Sequence, residues 1–145
     1  MKTWFRTALT AALMLGVAAC QASVKEIIDP SLDQSNSARL VLYRTDTWIY
    51  STEIPFLYLG DKEVGKLGRG DAIIQSVPVG THTITARRPF LFVPAQAMSA
   101  TSKYFEAGKT YYMRLDYQVS GMSGTYVSAV GRLSEADETA FNERR

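Results

Sequence analysis

The chain reads as all-β: a single small antiparallel sandwich of about seven or eight strands with a short C-terminal helix. Segments of clean period-2 alternation recur along it. Between them, apolar runs of strand length are broken by Gly, Pro and Asp at regular spacing, and helical periodicity appears only near the C-terminus. An open barrel is the nearest alternative architecture.

The elements follow in order. Residues 38–44 (ARLVLYR) form a continuous apolar run. Residues 56–67 (FLYLGDKEVGKL) place two strand-like arms around Gly60-Asp61-Lys62-Glu63, a hairpin signal. Residues 72–77 (AIIQSV) are a strand, with Pro78 and Gly80 marking the next turn. Along 81–87 (THTITAR), Thr81, Thr83 and Thr85 face one way and His82, Ile84 and Ala86 the other. Residues 110–118 (TYYMRLDYQ) set Tyr111, Met113, Leu115 and Tyr117 against Tyr112, Arg114, Asp116 and Gln118, so one face meets a core and the other solvent. Residues 124–133 (GTYVSAVGRL) close the sheet after a glycine-rich turn at 120–124. Ser134 with Asp137 gives a capping-box-like helix start. Glu135, Asp137 and Glu138 suit the positive pole, and Leu133, Ala136, Ala140 and Phe141 supply a narrow apolar stripe.

The N-terminus carries a different signal. Lys2 and Arg6 precede an uncharged apolar run, residues 8–19, which is too short to span ~30 Å of hydrocarbon but has the length of a signal-peptide core. Val17-Ala18-Ala19-Cys20 resembles the bacterial lipobox, in which the cysteine is acylated and becomes the first residue of the mature chain. Residues 1–19 are therefore expected as a lipoprotein signal peptide and Cys20 as the lipidation site. Residues 20–37 are expected as a lipid-anchored tether with a short ordered piece at 24–28, and residues 38–145 as the domain. Cys20 is the only cysteine, so lipidation leaves no thiol for a disulfide, metal or redox site. No cofactor is expected beyond the covalent lipid, which as several acyl chains anchors firmly. Gln21, not Asp, follows the cysteine; under enterobacterial sorting this points to the inner leaflet of the outer membrane, facing the periplasm.

The full chain has 16 Lys+Arg against 14 Asp+Glu, and removing Lys2 and Arg6 with the leader leaves 14 against 14. A neutral mature chain has no clustered basic footprint for nucleic acid, and the lone Arg87-Arg88 pair does not make one.

"YR" at 43–44, "GDKEVGKLGRGD" at 60–71, "VPVGTHTI" at 77–84 and "EAGKTYYMRLDY" at 106–117 resemble the bacterial lipoproteins that carry domain of unknown function 2846. The middle section is also similar to PEGA-type small β-sandwiches, with Val79 where a second proline is common. The resemblance spans roughly residues 38 to 140. It implies a fold and an envelope location; that family carries no established activity.

Motifs for catalysis are weak. His82 is the only histidine; it reads as a packing residue, and as a general base it would need a positioned nucleophile and an orienting carboxylate. Zinc would need three or four suitable ligands, and the supply of nitrogen and sulfur is exhausted. "GMSG" at 121–124 lacks the spacing and the strand-to-helix setting of a nucleophile elbow. "AGKT" at 107–110 lacks the first glycine of a P-loop, and Gly65, Gly68 and Gly70 run in the wrong order for a dinucleotide loop. Asp116 and Glu106 lie near one strand with nothing to pair them as glycosidase carboxylates.

Two aromatic-rich stretches remain. Residues 87–98 (RRPFLFVPAQAM) and 48–56 (WIYSTEIPF) read first as core filling and edge protection, since Pro89 and Pro94 oppose a central ladder position. Gathered at one end of the sandwich, they would instead form an exposed apolar patch with an arginine rim. The contact residues would then be Trp48, Tyr50, Arg87, Arg88, Phe90, Leu91 and Phe92. The expected function is contact, with an envelope protein partner first and a glycan or small ligand second. A hydrolase built on His82 is the remaining alternative.

Overall fold

A computed structural model describes residues 22–144 of the chain; the leader and the lipobox cysteine expected at 1–20 lie outside the described residues. The described strands are β1 (Val24–Ile27), β2 (Ser37–Arg44), β3 (Phe56–Leu59), β4 (Lys62–Lys66), β5 (Ala72–Pro78), β6 (Gly80–Phe90), β7 (Val93–Phe105), β8 (Thr110–Ser123) and β9 (Tyr126–Ala136). One helix, α1 (Glu138–Asn142), follows them. The strands form two sheets, ordered β1-β5-β2-β8-β9 and β4-β3-β6-β7.

The sheets pack face to face as the period-2 pattern requires. Leu40 and Leu42 of β2, Ile73 and Val77 of β5 and Met113 and Leu115 of β8 meet Leu57 of β3, Ile84 and Ala86 of β6 and Phe105 of β7 in one core. His82 lies on the inward face of β6 with Ile84 and Ala86, at the partly buried end of the strand. The expected small sandwich is observed, and the structure adds detail within it. The β1–β5 and β2–β8 pairings are parallel, while the other ladders are antiparallel.

Several boundaries differ from the sequence reading: residues 120–123, expected in a turn, belong to β8, so that the turn is at Gly124 and Thr125, and residues 93–105, not expected as one strand, form β7. The segment expected as tether is docked. β1 pairs with β5 from Val24↔Ala72 to Ile27↔Gln75, and a 3₁₀ turn at Gln34–Asn36 leads into β2. β1 coincides with the short ordered piece expected at 24–28; its side chains are mostly exposed, so its docking rests on the backbone ladder to β5. The helix begins later than Ser134. Ser134 to Ala136 stay in β9, paired with Arg114 to Tyr112, and Asp137 caps the helix by accepting from the Ala140 N–H at 2.8 Å. The ladder continues to satisfy those backbone groups, so the strand outcompetes the cap. The helix lies on the outer face of the five-stranded sheet, with Phe141 edge-on to Tyr43 at 5.3 Å.

The registers orient the molecule. Tyr43, Ala72, Val24 and Arg114 lie at one level, as do Phe56, Lys66 and Arg87 in the second sheet. Beyond these levels, at one end of the sandwich, lie residues 45–55, the 67–71 turn, and the long β6–β7 and β8–β9 hairpins. Those hairpins run alongside each other, because Met98 lies against Gly131, 3.1 Å from where a Cβ would sit.

Candidate contact surface

The end bearing the hairpins is organised by a buried cation. Arg44, the last residue of β2, is 1% exposed. Its guanidinium donates to the carbonyls of Glu53, of Tyr50 at 2.6 Å and of Ile49 at 3.4 Å, and lies 4.6 Å above the centre of the Tyr117 ring. Residues 45–55 contain neither strand nor helix; turns within the loop satisfy the Thr45, Trp48 and Tyr50 carbonyls, and the five-donor fork of Arg44 adds donors to those of Ile49, Tyr50 and Glu53. Burial pulls the Arg44 pKa down, opposed by Tyr117 and Glu53.

This loop is bound to both hairpins. Glu53 Oε1 accepts from the Tyr117 hydroxyl at 2.8 Å and from Arg88 Nε at 3.3 Å. Tyr50, at φ 51°, stacks on Tyr117 with ring centres 5.5 Å apart, and its hydroxyl donates to the Val127 carbonyl at 3.4 Å. Arg88 Nη2 reaches the Ala129 carbonyl at 3.5 Å. Burial, and then the bond to Glu53, push the Tyr117 phenol well above its ordinary pKa of 10.0.

Around this frame the surface is apolar. The last pair of the β6–β7 hairpin is Phe90↔Val93, which leaves Leu91 and Phe92 as a two-residue turn. All four are exposed, Phe92 at 92%. Trp48, Ile54, Met122 and Tyr126 are exposed at the same end. A groove of about 400 Å³ runs between the hairpin and the loop, lined by Ile54, Phe56, Lys66, Pro89, Leu91 and Phe92 among others.

All seven contact residues read from the sequence thus lie at one end, but in different roles. Trp48, Phe90, Leu91 and Phe92 are exposed. Tyr50 and Arg88 are half-buried parts of the frame, and Arg87 spreads over the Tyr58 ring at 5.3 Å. Core filling does not describe the 90–93 tip, although Met98 packs against the core. The edge-strand reading agrees with the structure: β7 is an edge strand of its sheet, and Pro89 and Pro94 face each other beyond the end of β3, whose last partner on β6 is Arg87, away from any central ladder position. Sequence reading missed Ile54, Met122 and Tyr126, and it also missed Arg44 and Glu53. A methionine within the expected 120–124 turn and a tyrosine just after it were the available signal for Met122 and Tyr126.

The other chemistry considered is dispersed. His82 Nε2 is 3.0 Å from the Pro78 carbonyl, and its ring tilts against Phe105. Asp116 pairs with Arg114 and accepts from Thr45 Oγ1 at 2.7 Å. Glu106 pairs with Lys109 at the opposite end, where a polar groove of about 310 Å³ includes Arg39, Gln75 and Lys109. Among the described residues no three His, Cys, Asp or Glu side chains gather as a metal site. Compared with protein-family models and with curated proteins, the chain matches none.

Proposed function

We propose that this protein is a lipid-anchored, non-catalytic module of a bacterial cell envelope, held by an acylated Cys20 at the inner leaflet of the outer membrane and acting by contact. The observation that carries the reading is the convergence of exposed apolar side chains from three separate segments on one end of a rigid frame. Scattered single apolar residues are ordinary on protein surfaces, whereas a contiguous patch rimmed by polar groups marks a contact site. Trp48, Tyr126 and Phe92, with Arg87 and Arg88 beside them, match the residue types enriched in contact surfaces. The carbonyl partner and aromatic neighbour of His82 support a packing role.

Mass spectrometry of the protein extracted from membranes tests the anchor: Cys20 is expected as the N-terminal residue, carrying acyl chains. Cys20→Ser protein that still fractionates with membranes and is processed normally would sink that part. His82→Gln is expected to leave the cellular function intact; its loss in a folded, normally expressed variant would restore the hydrolase.

A further inference from the structure

The route of the chain into the domain bears on what covers the apolar end. Ser23 is clamped by Asp71, whose Oδ1 accepts from the Ser23 N–H at 2.7 Å and the Ser23 hydroxyl at 3.0 Å, and the Ala72 N–H donates to the Ser23 carbonyl at 2.9 Å. Ala22 lies against Gly70, where an added Cβ would come within 3.0 Å of the Ala22 Cβ and 3.7 Å of the Asp46 Cβ. Ala22 therefore sits at the end from which the two hairpins and Trp48 project. Only two residue steps separate it from Cys20, a reach of ~7 Å, whereas a free tether of the length read from the sequence would reach roughly 60 Å.

We propose, resting on the reading of Cys20 as acylated, that the apolar end docks into the phospholipid leaflet holding the anchor, with the Phe90–Val93 tip and Trp48, Met122 and Tyr126 entering the interface. An anchor on so short a lead brings the leaflet to this end of the domain. The chemistry of the end fits lipid. Trp and Tyr favour the membrane–water boundary, where an apolar body and a polar tip are both satisfied. Lys66 and Arg87 lie beside the apolar groups, where head-group phosphates would sit, while Glu53 is engaged by Arg88 and Tyr117, and Asp46 by Arg69. Folding does not account for the tip residues. Leu91 and Phe92 have φ 47° and 69°, positions that Asn and Gly occupy with the least strain. Strain retained by exposed bulky residues is an outlier that points to a use outside the fold.

The test uses mature protein purified from membranes and placed in vesicles of phosphatidylethanolamine and phosphatidylglycerol, some lipids carrying nitroxide on their acyl chains. An environment-sensitive fluorophore is attached at Phe92→Cys, or at Glu106→Cys on the opposite end. Docking predicts severalfold brighter, blue-shifted emission with strong nitroxide quenching at 92, and water-like, unquenched emission at 106. Water-like emission at both sites from a protein whose mass shows acyl chains overturns docking and leaves the anchor standing. Absent acyl chains with a quenched probe at 92 overturns the anchor and keeps the docking surface; failure of both removes both. Replacing the tip by Leu91→Asn with Phe92→Gly should return a probe at Met122→Cys towards its water value while the fold melts no earlier. In cells, a photo-crosslinker at Leu91 should give adducts of lipid mass, and one discrete protein adduct there would overturn the lipid assignment in favour of a protein partner.

Discussion

Ser23 and Asp71, 48 positions apart, are joined by two hydrogen bonds to a single carboxylate oxygen, and the other oxygen of Asp71 accepts from the Gly68 N–H at 3.0 Å. One side chain thus ties the start of the described chain to the turn before β5, and with it the direction in which the preceding residues leave the domain. Asp71→Ala should remove these bonds and cost about 1.5–3 kcal/mol, the range for hydrogen bonds to a charged group. Hydrogen exchange should show the Ser23 and Ala72 amides losing protection while the core amides of β2 and β8 keep theirs. Uniform loss across the sheet would mean that β1 is integral to global stability and not a local clasp.

Arg44→Lys retains the charge and loses the fork. A lysine ammonium has no planar array with which to meet the carbonyls of Ile49, Tyr50 and Glu53 while stacking on Tyr117. The variant should lose about 1–3 kcal/mol in chemical denaturation, because the half-buried Ile49 and Glu53 carbonyls lose their arginine donor while the Tyr50 carbonyl keeps only the Glu53 N–H. Tyr50 and Trp48 should become more mobile, which tryptophan anisotropy would register. A variant as stable as the parent would show that the loop finds its donors elsewhere.

The two buried tyrosines should respond oppositely to loss of the hydroxyl. Tyr43 is fully buried with no partner for its oxygen, so Tyr43→Phe should be neutral or stabilising by up to ~1 kcal/mol. The Tyr117 hydroxyl donates to Glu53, so Tyr117→Phe should cost ~1 kcal/mol and loosen Glu53. Thermal melts at neutral pH would separate the two.

Alkaline pH gives a further test on Tyr117. Its folded pKa is raised above 10.0 by burial and by Glu53, so the folded state keeps the proton after the unfolded state has released it. Stability is then fully present below pH 10 and falls as pH rises beyond it, by ~1.4 kcal/mol per pH unit for one such group until the folded phenol ionises. Tyr43 is shifted the same way by burial. Tyr117→Phe should make the alkaline fall shallower; an unchanged slope would assign the fall to other groups.

The β6–β7 tip should show a conflict between stability and use. Leu91→Asn with Phe92→Gly suits the positive φ at both positions and should raise stability by up to ~1–2 kcal/mol per residue. A rise in the unfolding midpoint with loss of vesicle contact is the expected pairing. A fall in the midpoint would show that the exposed Leu and Phe stabilise the hairpin after all.

Local pattern was enough to place β2, β3, β5, the inner part of β6, β8 and β9 and the faces they bury. Period-2 alternation in 81–87 and 110–118 is local information, and a one-residue slip would have turned Ile84, Met113 and Leu115 to solvent. The turns at Gly60 and Pro78 were legible too, as was the balance of 14 Lys+Arg against 14 Asp+Glu over residues 20–145. Tertiary structure alone decided the rest. β1 has little apolar patterning and is held by backbone bonds to β5, a partner 48 positions away at Val24↔Ala72. Arg44 looks in sequence like the charged end of a strand, and it is buried because carbonyls from residues 49–53 fold over it. Trp48, Phe92, Met122 and Tyr126 share one end because two hairpins lie side by side at Met98 and Gly131. Such convergence depends on contacts between residues distant in the chain, which no local period encodes.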